Sequence, residues 1–205
     1  MIKNIIFDLG NVLISYNPKT YIAENVKEEN QKKFYEIVFG GEEWQKLDRG
    51  VLEYEEAVEI FSKKLPQEKE AIINLFKNKI NGVLFPVDKN LKILPTLKAK
   101  GYKLYILSNF HREAFLSVSK INKFDILFDG KIVSYEVKLL KPEEEIYLKL
   151  IKKYGLKPEE TLFIDDTLVN IEAAKKIGIE TIHLTEKDKL KEELSNILEL
   201  DLSVE

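Results

Sequence analysis

Short apolar runs that end in polar residues alternate with amphipathic helical patterns along most of this 205-residue chain. The first run, Ile5 to Phe7, is followed by Asp8 and stops at Gly10-Asn11, a pair typical of turns. From Asp88 onward a helical pattern, a glycine and an apolar run recur, which predicts parallel strands joined by right-handed crossovers. The predicted strands of this part are Lys103 to Leu107, Thr161 to Ile164 and Glu180 to Leu184, and its predicted helices are Leu91 to Lys100, Glu143 to Tyr154, Val169 to Ile177 and Lys187 to Leu198. The pattern therefore predicts an α/β fold, a Rossmann-like parallel-sheet core with helices on both faces.

Residues 16–85 contain no convincing strand pattern and are predicted to be helical throughout. The predicted helices, each stopped by a nearby glycine or proline, are Lys32 to Phe39, Glu43 to Asp48, Tyr54 to Lys64 and Glu68 to Lys79. Apolar stripes on the last two favour a packed core over a cofactor site. We therefore expect a helical cap domain at 16–85, inserted into a core formed by residues 1–15 and 86–205.

Three features of the core pattern are less regular. Pro95 lies inside the predicted helix Leu91 to Lys100 and should kink or reset it. A short strand is predicted at Ile126 to Phe128. The next apolar stretch, Lys131 to Ser134, is predicted to form part of a small excursion from the core.

Composition and charge restrict the partners and the chemistry. The 32 Lys and Arg against 35 Asp and Glu leave a net charge of −3, so neither a nucleic acid nor an anionic membrane is an expected partner. Cysteine is absent, which excludes disulfides, thiolate metal sites and a cysteine nucleophile. No apolar run approaches the length of a membrane span and no signal segment is recognised, so we expect a soluble, cytoplasmic protein.

Polar side chains follow three of the predicted core strands. Asp8 follows the first, Ser108 and Asn109 follow the second, and Asp165 and Asp166 follow the third. Because ligands bind outside the carboxyl ends of strands in open α/β sheets, these side chains are predicted to share one site. Each has an ordinary alternative, since Asp8 could only cap its turn and the Ser108-Asn109 pair could only cap a loop.

The three carboxylates would repel one another unless a cation joined them or one were protonated. Mg²⁺ suits such a group because it prefers oxygen ligands. Lys141, held in an extended loop by Pro142, adds positive charge near the same edge, and Lys138 is its rival for that role. Together these residues predict a phosphate cradle beside a metal and a carboxylate nucleophile, as phosphoryl transfer through an aspartyl-phosphate requires.

Four motifs contain all of these residues: Phe7-Asp8-Leu9-Gly10-Asn11-Val12, Leu107-Ser108-Asn109, Lys141-Pro142 and Phe163-Ile164-Asp165-Asp166. In order and spacing they resemble the four motifs of the haloacid dehalogenase (HAD) superfamily of aspartate-nucleophile hydrolases. The helical insert resembles the cap of the first cap subclass, and the first motif is similar to that of the glucose-1-phosphatase-like branch. The resemblance covers nearly the whole chain.

The resemblance implies a role for each motif residue. Asp8 would be the nucleophile, and Ser108 and Lys141 would hold the transferring phosphoryl group. Asp8, Asp166 and the backbone oxygen of Gly10 would bind Mg²⁺. The substrate would be a small phosphorylated metabolite.

One residue departs from the pattern of the family. Most of its phosphatases have a second aspartate two residues after the nucleophile, as a proton donor, and this chain has Gly10 there. Such help is worth roughly 100- to 10,000-fold in rate. Three explanations stay open: a slow phosphatase, a leaving group that needs little protonation, or a proton donor borrowed from the cap.

Asp165 would act mainly through a metal-bound water, and Asn170 stands where many members have another acid.

We therefore predict a Mg²⁺-dependent phosphatase of small phosphomonoesters, with sugar phosphates as candidate substrates. A 2-haloacid dehalogenase or a phosphomutase of the same superfamily is an alternative. Against the dehalogenase stand Asp165 and Asp166, because a metal-free attack on carbon gains nothing from clustered anions. A non-catalytic interaction protein that retains the fold is a third reading, favoured by Gly10.

Substrate contacts are predicted at Asn109 and at the end of a helix in the insert, at Trp44, Asp48 and Arg49, where a turn could bring them towards the nucleophile. The alternative for Trp44 is cap core, and for Arg49 a solvated cation at a helix end.

The two histidines are assigned no part in the chemistry. His183 is expected to be a partly buried strand residue. His111, at the start of a helix, is expected to cap it or to be exposed.

Overall fold

A five-stranded parallel sheet organises the residues that this computed structural model describes, 1–78 and 80–202. From one edge to the other its strands are β5 (Gly130–Val133), β4 (Lys103–Ser108), β1 (Asn4–Phe7), β6 (Thr161–Asp165) and β7 (Glu180–His183). Asn4 pairs with Lys103 on one side and with Thr161 on the other, so β1 is the central strand. A central strand is covered on both faces, which explains why β1 is an uninterrupted apolar run rather than an alternating one.

Helices pack on both faces of the sheet, as predicted. The helices of the core are α6 (Asp88–Leu91), α7 (Ile93–Ala99), α8 (Arg112–Asn122), α9 (Phe124–Leu127), α10 (Ser134–Val137), α11 (Glu144–Tyr154), α12 (Leu168–Lys176) and α13 (Leu190–Leu198). Apolar residues of α11 and α12 pack with Ile6 and Phe163 on one face of the sheet. Those of α7, α8 and α13 pack with Ile5 and Phe7 on the other face. The predicted α/β class, with a Rossmann-like parallel core, is confirmed.

The segment between β2 (Ile14–Tyr16) and β3 (Leu84–Pro86) is helical. Its helices are α1 (Pro18–Asn25), α2 (Gln31–Phe34) continued by a π-helical turn (Tyr35–Phe39), α3 (Glu42–Arg49), α4 (Tyr54–Lys64) and α5 (Lys69–Lys77). Lys79, the last residue of the fourth predicted helix, lies outside the described residues, as do residues 203–205. No helix in the described ranges is both long and apolar enough to cross a membrane.

The prediction that residues 16–85 contain no strand is wrong at both ends of that segment. Strands β2 and β3 pair antiparallel, with Tyr16 opposite Leu84 and Ile14 opposite Pro86, and they form a two-stranded ribbon where the insert leaves and rejoins the core. Three-residue strands are too short to show a periodicity. The division into a core and a cap domain at these boundaries stays a prediction.

Two local predictions in the core are wrong. Residues 126–128 are not a strand, because Ile126 and Leu127 belong to α9, which buries its first residue, Phe124, and leaves Ile126 74% exposed, and Phe128 follows the helix. The excursion predicted after them contains β5, the edge strand beside β4. A short apolar run fits a strand and a buried helical turn equally well, so periodicity alone could not separate them.

The predicted effect of Pro95 is seen three residues before it. The helix expected at 91–100 is broken at Lys92 into α6 and α7. Proline has no N–H to donate to the carbonyl four residues back, so Leu91 loses its helical partner and the chain resets there.

Candidate active site

Asp8 follows the central strand and is buried, with 7% of its surface exposed. Its N–H donates to the carbonyl of Ile164 at 2.9 Å, which holds the residue at the carboxyl edge of the sheet. The next N–H, of Leu9, donates to Asp8 Oδ1 at 2.7 Å. Asn11 then takes a left-handed conformation, with φ of 54°, that asparagine tolerates better than most residues. The backbone itself therefore fixes the position of this carboxylate.

Ser108 and Asn109, at the end of β4, perform two different tasks. Ser108 Oγ donates to Asp8 Oδ1 at 2.7 Å, as expected for side chains at the ends of neighbouring parallel strands. The Asn109 side chain instead exchanges two hydrogen bonds with the backbone of Lys141, at 2.9 and 3.0 Å. Asn109 thus anchors the loop that brings Lys141 to the site.

The Lys141 ammonium is buried between two carboxylates. Its Nζ lies 2.9 Å from Asp8 Oδ1 and donates to Asp165 Oδ2 at 2.5 Å. Burial by itself lowers the pKa of an ammonium, but the charges of Asp165 and Asp8 outweigh burial, and the pKa of Lys141 is raised above its ordinary value. Lys141 is therefore a permanent cation in this site.

Asp8, Asp165 and Asp166 form the expected carboxylate cluster, in which one oxygen of each lies within 4.8 Å of the others. Burial raises the pKa of Asp8 to about 6; the charge of Lys141 opposes this shift and that of Asp165 adds to it. One cation therefore faces three carboxyl groups, which leaves excess negative charge near neutral pH.

The donor set of this cluster fits a hard divalent cation such as Mg²⁺. Asp166 is partly exposed, and its Oδ2 accepts one hydrogen bond at 2.9 Å, from Asn11. Asp165 is fully buried, and both of its oxygens already accept hydrogen bonds. Its donors are the Lys141 ammonium, the Thr167 N–H and the Asn170 amide. Asp8 and Asp166 are therefore the carboxylates available to a metal, whereas Asp165 orients Lys141.

A cavity of about 230 Å³ opens beside this cluster. Its lining includes Gly10 and Asp166 from the core, and three of the four predicted substrate residues, Asn109, Trp44 and Asp48. Helix α3 positions Trp44, whose ring lies 4.9 Å from that of Phe39 and 4.2 Å from that of His111. The insert thus forms one wall of the cavity, in which Trp44 is held by these ring contacts.

Asp48 has an unusual environment for a carboxyl group. Its side chain is 18% exposed, and Oδ1 lies 3.4 Å from Nε2 of the fully buried His111. Burial, followed by repulsion from Asp8, raises the pKa of Asp48 to about 8, although the charge of Lys141 opposes the shift. This environment therefore favours the protonated form of Asp48.

Arg49 is not brought to the cavity. It forms an ion pair with Glu143 and donates to the carbonyl of Lys138 at 2.9 Å. The Lys138 ammonium, the predicted rival of Lys141, donates to the carbonyl of Gly50 on the protein surface. These contacts join the end of α3 to the loop before α11, so the two cations hold the insert on the core.

The prediction for His183 is wrong, and that for His111 is right only in its position, because His111 is the N-cap residue of α8 but its side chain makes no capping hydrogen bond. His183 is an exposed strand residue whose Nε2 lies 3.1 Å from the carbonyl oxygen of Asp166. His111 is only 1% exposed, and its ring contacts Trp44, Tyr54 and Asp48 from the insert. The only sign in the sequence that His111 lies near the site was its place two residues after Asn109. Nothing in that spacing indicates which helix covers the ring.

Comparison with known proteins identifies similar chains. A family model described as haloacid dehalogenase-like hydrolase matches residues 2–178. The sesquiterpene phosphatase astK of Aspergillus oryzae is 27% identical over 184 residues, covering 90% of each chain. The D-ribitol-5-phosphate phosphatase of Bacteroides thetaiotaomicron is 29% identical over 216 residues, covering 97% of this chain and 99% of the relative. Among solved structures, a HAD family enzyme of Bacteroides thetaiotaomicron in complex with magnesium and inorganic phosphate superposes with a TM-score of 0.72 at 27% identity, covering 89% of this chain and 93% of that one.

Proposed function

This chain belongs to the haloacid dehalogenase-like hydrolase family, and we propose that it is a Mg²⁺-dependent phosphatase that hydrolyses small phosphomonoesters through an aspartyl-phosphate on Asp8. The observation that carries the proposal is the position of Asp8, with Ser108 Oγ at 2.7 Å and Lys141 Nζ at 2.9 Å from Oδ1. The phosphatase names of the relatives support the same reaction.

The two oxygens of Asp8 differ in their surroundings. Oδ1 accepts hydrogen bonds from Ser108, Lys141 and the Leu9 N–H, whereas Oδ2 lies on the side of Gly10, which lines the cavity. This difference supports Oδ2 as the atom that attacks phosphorus. The Ser108 hydroxyl and the Lys141 ammonium would then stabilise charge on the transferring phosphoryl oxygens from fixed positions.

Three groups are proposed to hold Mg²⁺: the carboxylates of Asp8 and Asp166 and the carbonyl of Gly10. When bound, the ion supplies positive charge that draws the substrate phosphate to Asp8 and offsets the clustered anions. Asp165 would contribute mainly by keeping Lys141 charged and in place, because its two oxygens are already engaged.

The cap assignment belongs to the same proposal, with residues 16–85 selecting the substrate above a core of 1–15 and 86–205. Trp44 and Asp48 line the cavity and are the proposed contacts to the alcohol portion, together with Asn109. Sugar phosphates are candidate substrates, in keeping with relatives such as the D-ribitol-5-phosphate phosphatase. The proposal also includes a cytoplasmic location and small phosphorylated metabolites as the partners. Nucleic acids are not proposed as partners, because a net charge of −3 provides no electrostatic attraction for them.

The test is a panel of phosphomonoesters, including sugar phosphates and nucleotides, assayed with Mg²⁺ and with a chelator. We expect phosphate release that depends on Mg²⁺ and falls to background in Asp8→Asn, which keeps the shape of the side chain but removes the nucleophile. Asp88→Asn, at an exposed residue of α6, is the matched control. Activity in folded Asp8→Asn would refute the covalent mechanism, and equal phosphate release in chelator would refute the Mg²⁺ requirement.

A further inference from the structure

Among the described residues that line the cavity, one acidic side chain is present besides the carboxylates proposed to bind the metal. That residue is Asp48, which shares the cavity with Gly10, the position at which related phosphatases would place a proton donor. A Cβ at Gly10 would meet only Asp8 Oδ2, at 3.9 Å, so the place of the missing side chain is open. A leaving group in the cavity therefore has room to reach Asp48.

Two contacts fix the position of Asp48. Ser134 Oγ, at the start of α10, donates to the Asp48 carbonyl at 2.5 Å and ties the last turn of α3 to the core. The His111 ring lies behind the carboxyl, with Nε2 3.4 Å from Oδ1. That nitrogen is buried and has no hydrogen-bond partner within normal distance among the described groups. Nε2 of the imidazole thus faces the carboxyl, whereas Nδ1 lies 3.3 Å from the Tyr54 hydroxyl.

The groups around the carboxyl favour its neutral form. His111 provides no positive charge, because burial lowers its pKa to about 3. Tyr16 from β2 and Tyr54 from α4 have pKa values raised by burial and by Asp48 itself, so they are weaker acids than free tyrosine. Of the charged groups in the core, Asp8 favours the protonated carboxyl and Lys141 opposes it.

We propose that Asp48 is the general acid and base of the reaction, in place of the side chain that Gly10 lacks, and that His111 is its positioning residue. The proposal rests on the proposed phosphatase function. As Asp8 Oδ2 bonds to phosphorus, the bond from phosphorus to the ester oxygen breaks, and the Asp48 proton passes to that oxygen to release the alcohol. The Asp48 carboxylate then takes a proton from the water that attacks the phosphorus, which releases inorganic phosphate and restores both side chains.

Other groups on the cavity wall fit this task less well. Tyr16 holds its proton too tightly, and neutral His111 has too low a pKa to supply one near pH 7. Asp166 is a proposed metal ligand. Among the described lining residues, Asp48 is the group with both an available proton and a pKa, about 8, near the working pH.

The experiment compares Asp48→Asn with the native enzyme on 4-nitrophenyl phosphate, whose leaving group needs no proton, and on simple alkyl phosphates. We expect the loss of kcat/KM to be at least tenfold greater on the alkyl esters, within the roughly 100- to 10,000-fold that acid–base help supplies. Native activity on alkyl esters should fall as the pH rises through about 8, and Asp48→Asn should lack this decline. Asp48→Glu should recover part of the rate, and it keeps the proposal testable where the asparagine variant folds poorly.

Glu42→Gln, at an exposed residue of the same helix, is the matched control and should leave kcat/KM unchanged on both classes of ester. His111→Gln should shift the alkaline limb of the pH profile, which a purely structural role would leave in place. Equal losses on aryl and alkyl esters, or an unchanged alkaline limb in Asp48→Asn, would overturn the proposal. If Asp8→Asn is inactive in the same assays, the phosphatase function stands even when Asp48 fails the test.

Discussion

Replacing Lys141 by methionine should lower both stability and activity, and the structure supports a magnitude for each. The change removes the ammonium that lies 2.9 Å from Asp8 Oδ1 and 2.5 Å from Asp165 Oδ2, and leaves two buried carboxylates without their cation. Breaking a buried pair in this way costs about 3–5 kcal/mol of unfolding free energy. For a chain of this length that corresponds to a Tm lower by roughly 6–20 °C.

The loss of stability should depend on pH. Without Lys141 the pKa of Asp8, already about 6, is raised further, because the charge that lowers it is gone. A carboxyl group with a raised pKa in the folded state binds its proton on folding, so its contribution to stability is present at low pH and is lost as the pH rises through that pKa. The Tm difference between native protein and Lys141→Met should therefore be larger at pH 8 than at pH 5.

The assay is thermal unfolding followed by circular dichroism in chelator at both pH values, together with turnover of an aryl phosphate in Mg²⁺. Turnover should fall at least 100-fold, as for other fixed donors to a transition-state oxyanion. Lys138→Met is the matched control, because that lysine is exposed and its ammonium contacts only the carbonyl of Gly50 among the hydrogen bonds described. Equal Tm losses for the two variants, or a loss at position 141 that does not change with pH, would refute the reasoning.

Three further predictions concern the metal, the cap carboxyl and the contact between insert and core. Mg²⁺ at 100 times its Kd should stabilise the native protein by about 2.7 kcal/mol in thermal unfolding. Asp166→Ala should abolish this stabilisation, and Asp165→Ala should reduce it without abolishing it. Equal stabilisation of all three proteins would contradict the ligand assignment. Because the folded-state pKa of Asp48 is raised to about 8, its contribution to stability is lost between about pH 4 and pH 8, by up to ~1.4 kcal/mol per pH unit, less for its partial exposure. The Tm of Asp48→Asn relative to native should accordingly rise from pH 5 to pH 9, and a constant difference would exclude a buried protonated carboxyl. Arg49→Ala should raise KM by loosening α3 while lowering the free energy of unfolding by at most about 1 kcal/mol. Glu143→Gln should have the same effects on KM and on stability. Fully additive effects in the double variant would show that the pair is not coupled.

Much of the active site could be predicted from the sequence, because it depends on strand ends. An apolar run with a polar end determines where a buried strand stops, and a parallel topology brings all carboxyl ends to one edge of the sheet. Asp8, Ser108 and the Asp165-Asp166 pair therefore meet without any detailed knowledge of packing. Lys141 reaches the same edge because Asn109, at a neighbouring strand end, binds its backbone.

The contacts of the insert were decided only by the tertiary structure. Asp48 and His111 are far apart in the chain, and the packing of α3 and α4 over the start of α8 places the carboxyl 3.4 Å from a buried ring nitrogen. The same packing turns Arg49 away from the cavity to Glu143, although it is the next residue in the sequence. Periodicity determines which face of a helix is apolar, but it contains no information about which distant polar group that helix will meet. The sequence by itself thus determined the inner strands of the sheet and the polar edge at which they end, and the tertiary structure decided which side chains of the insert line the cavity.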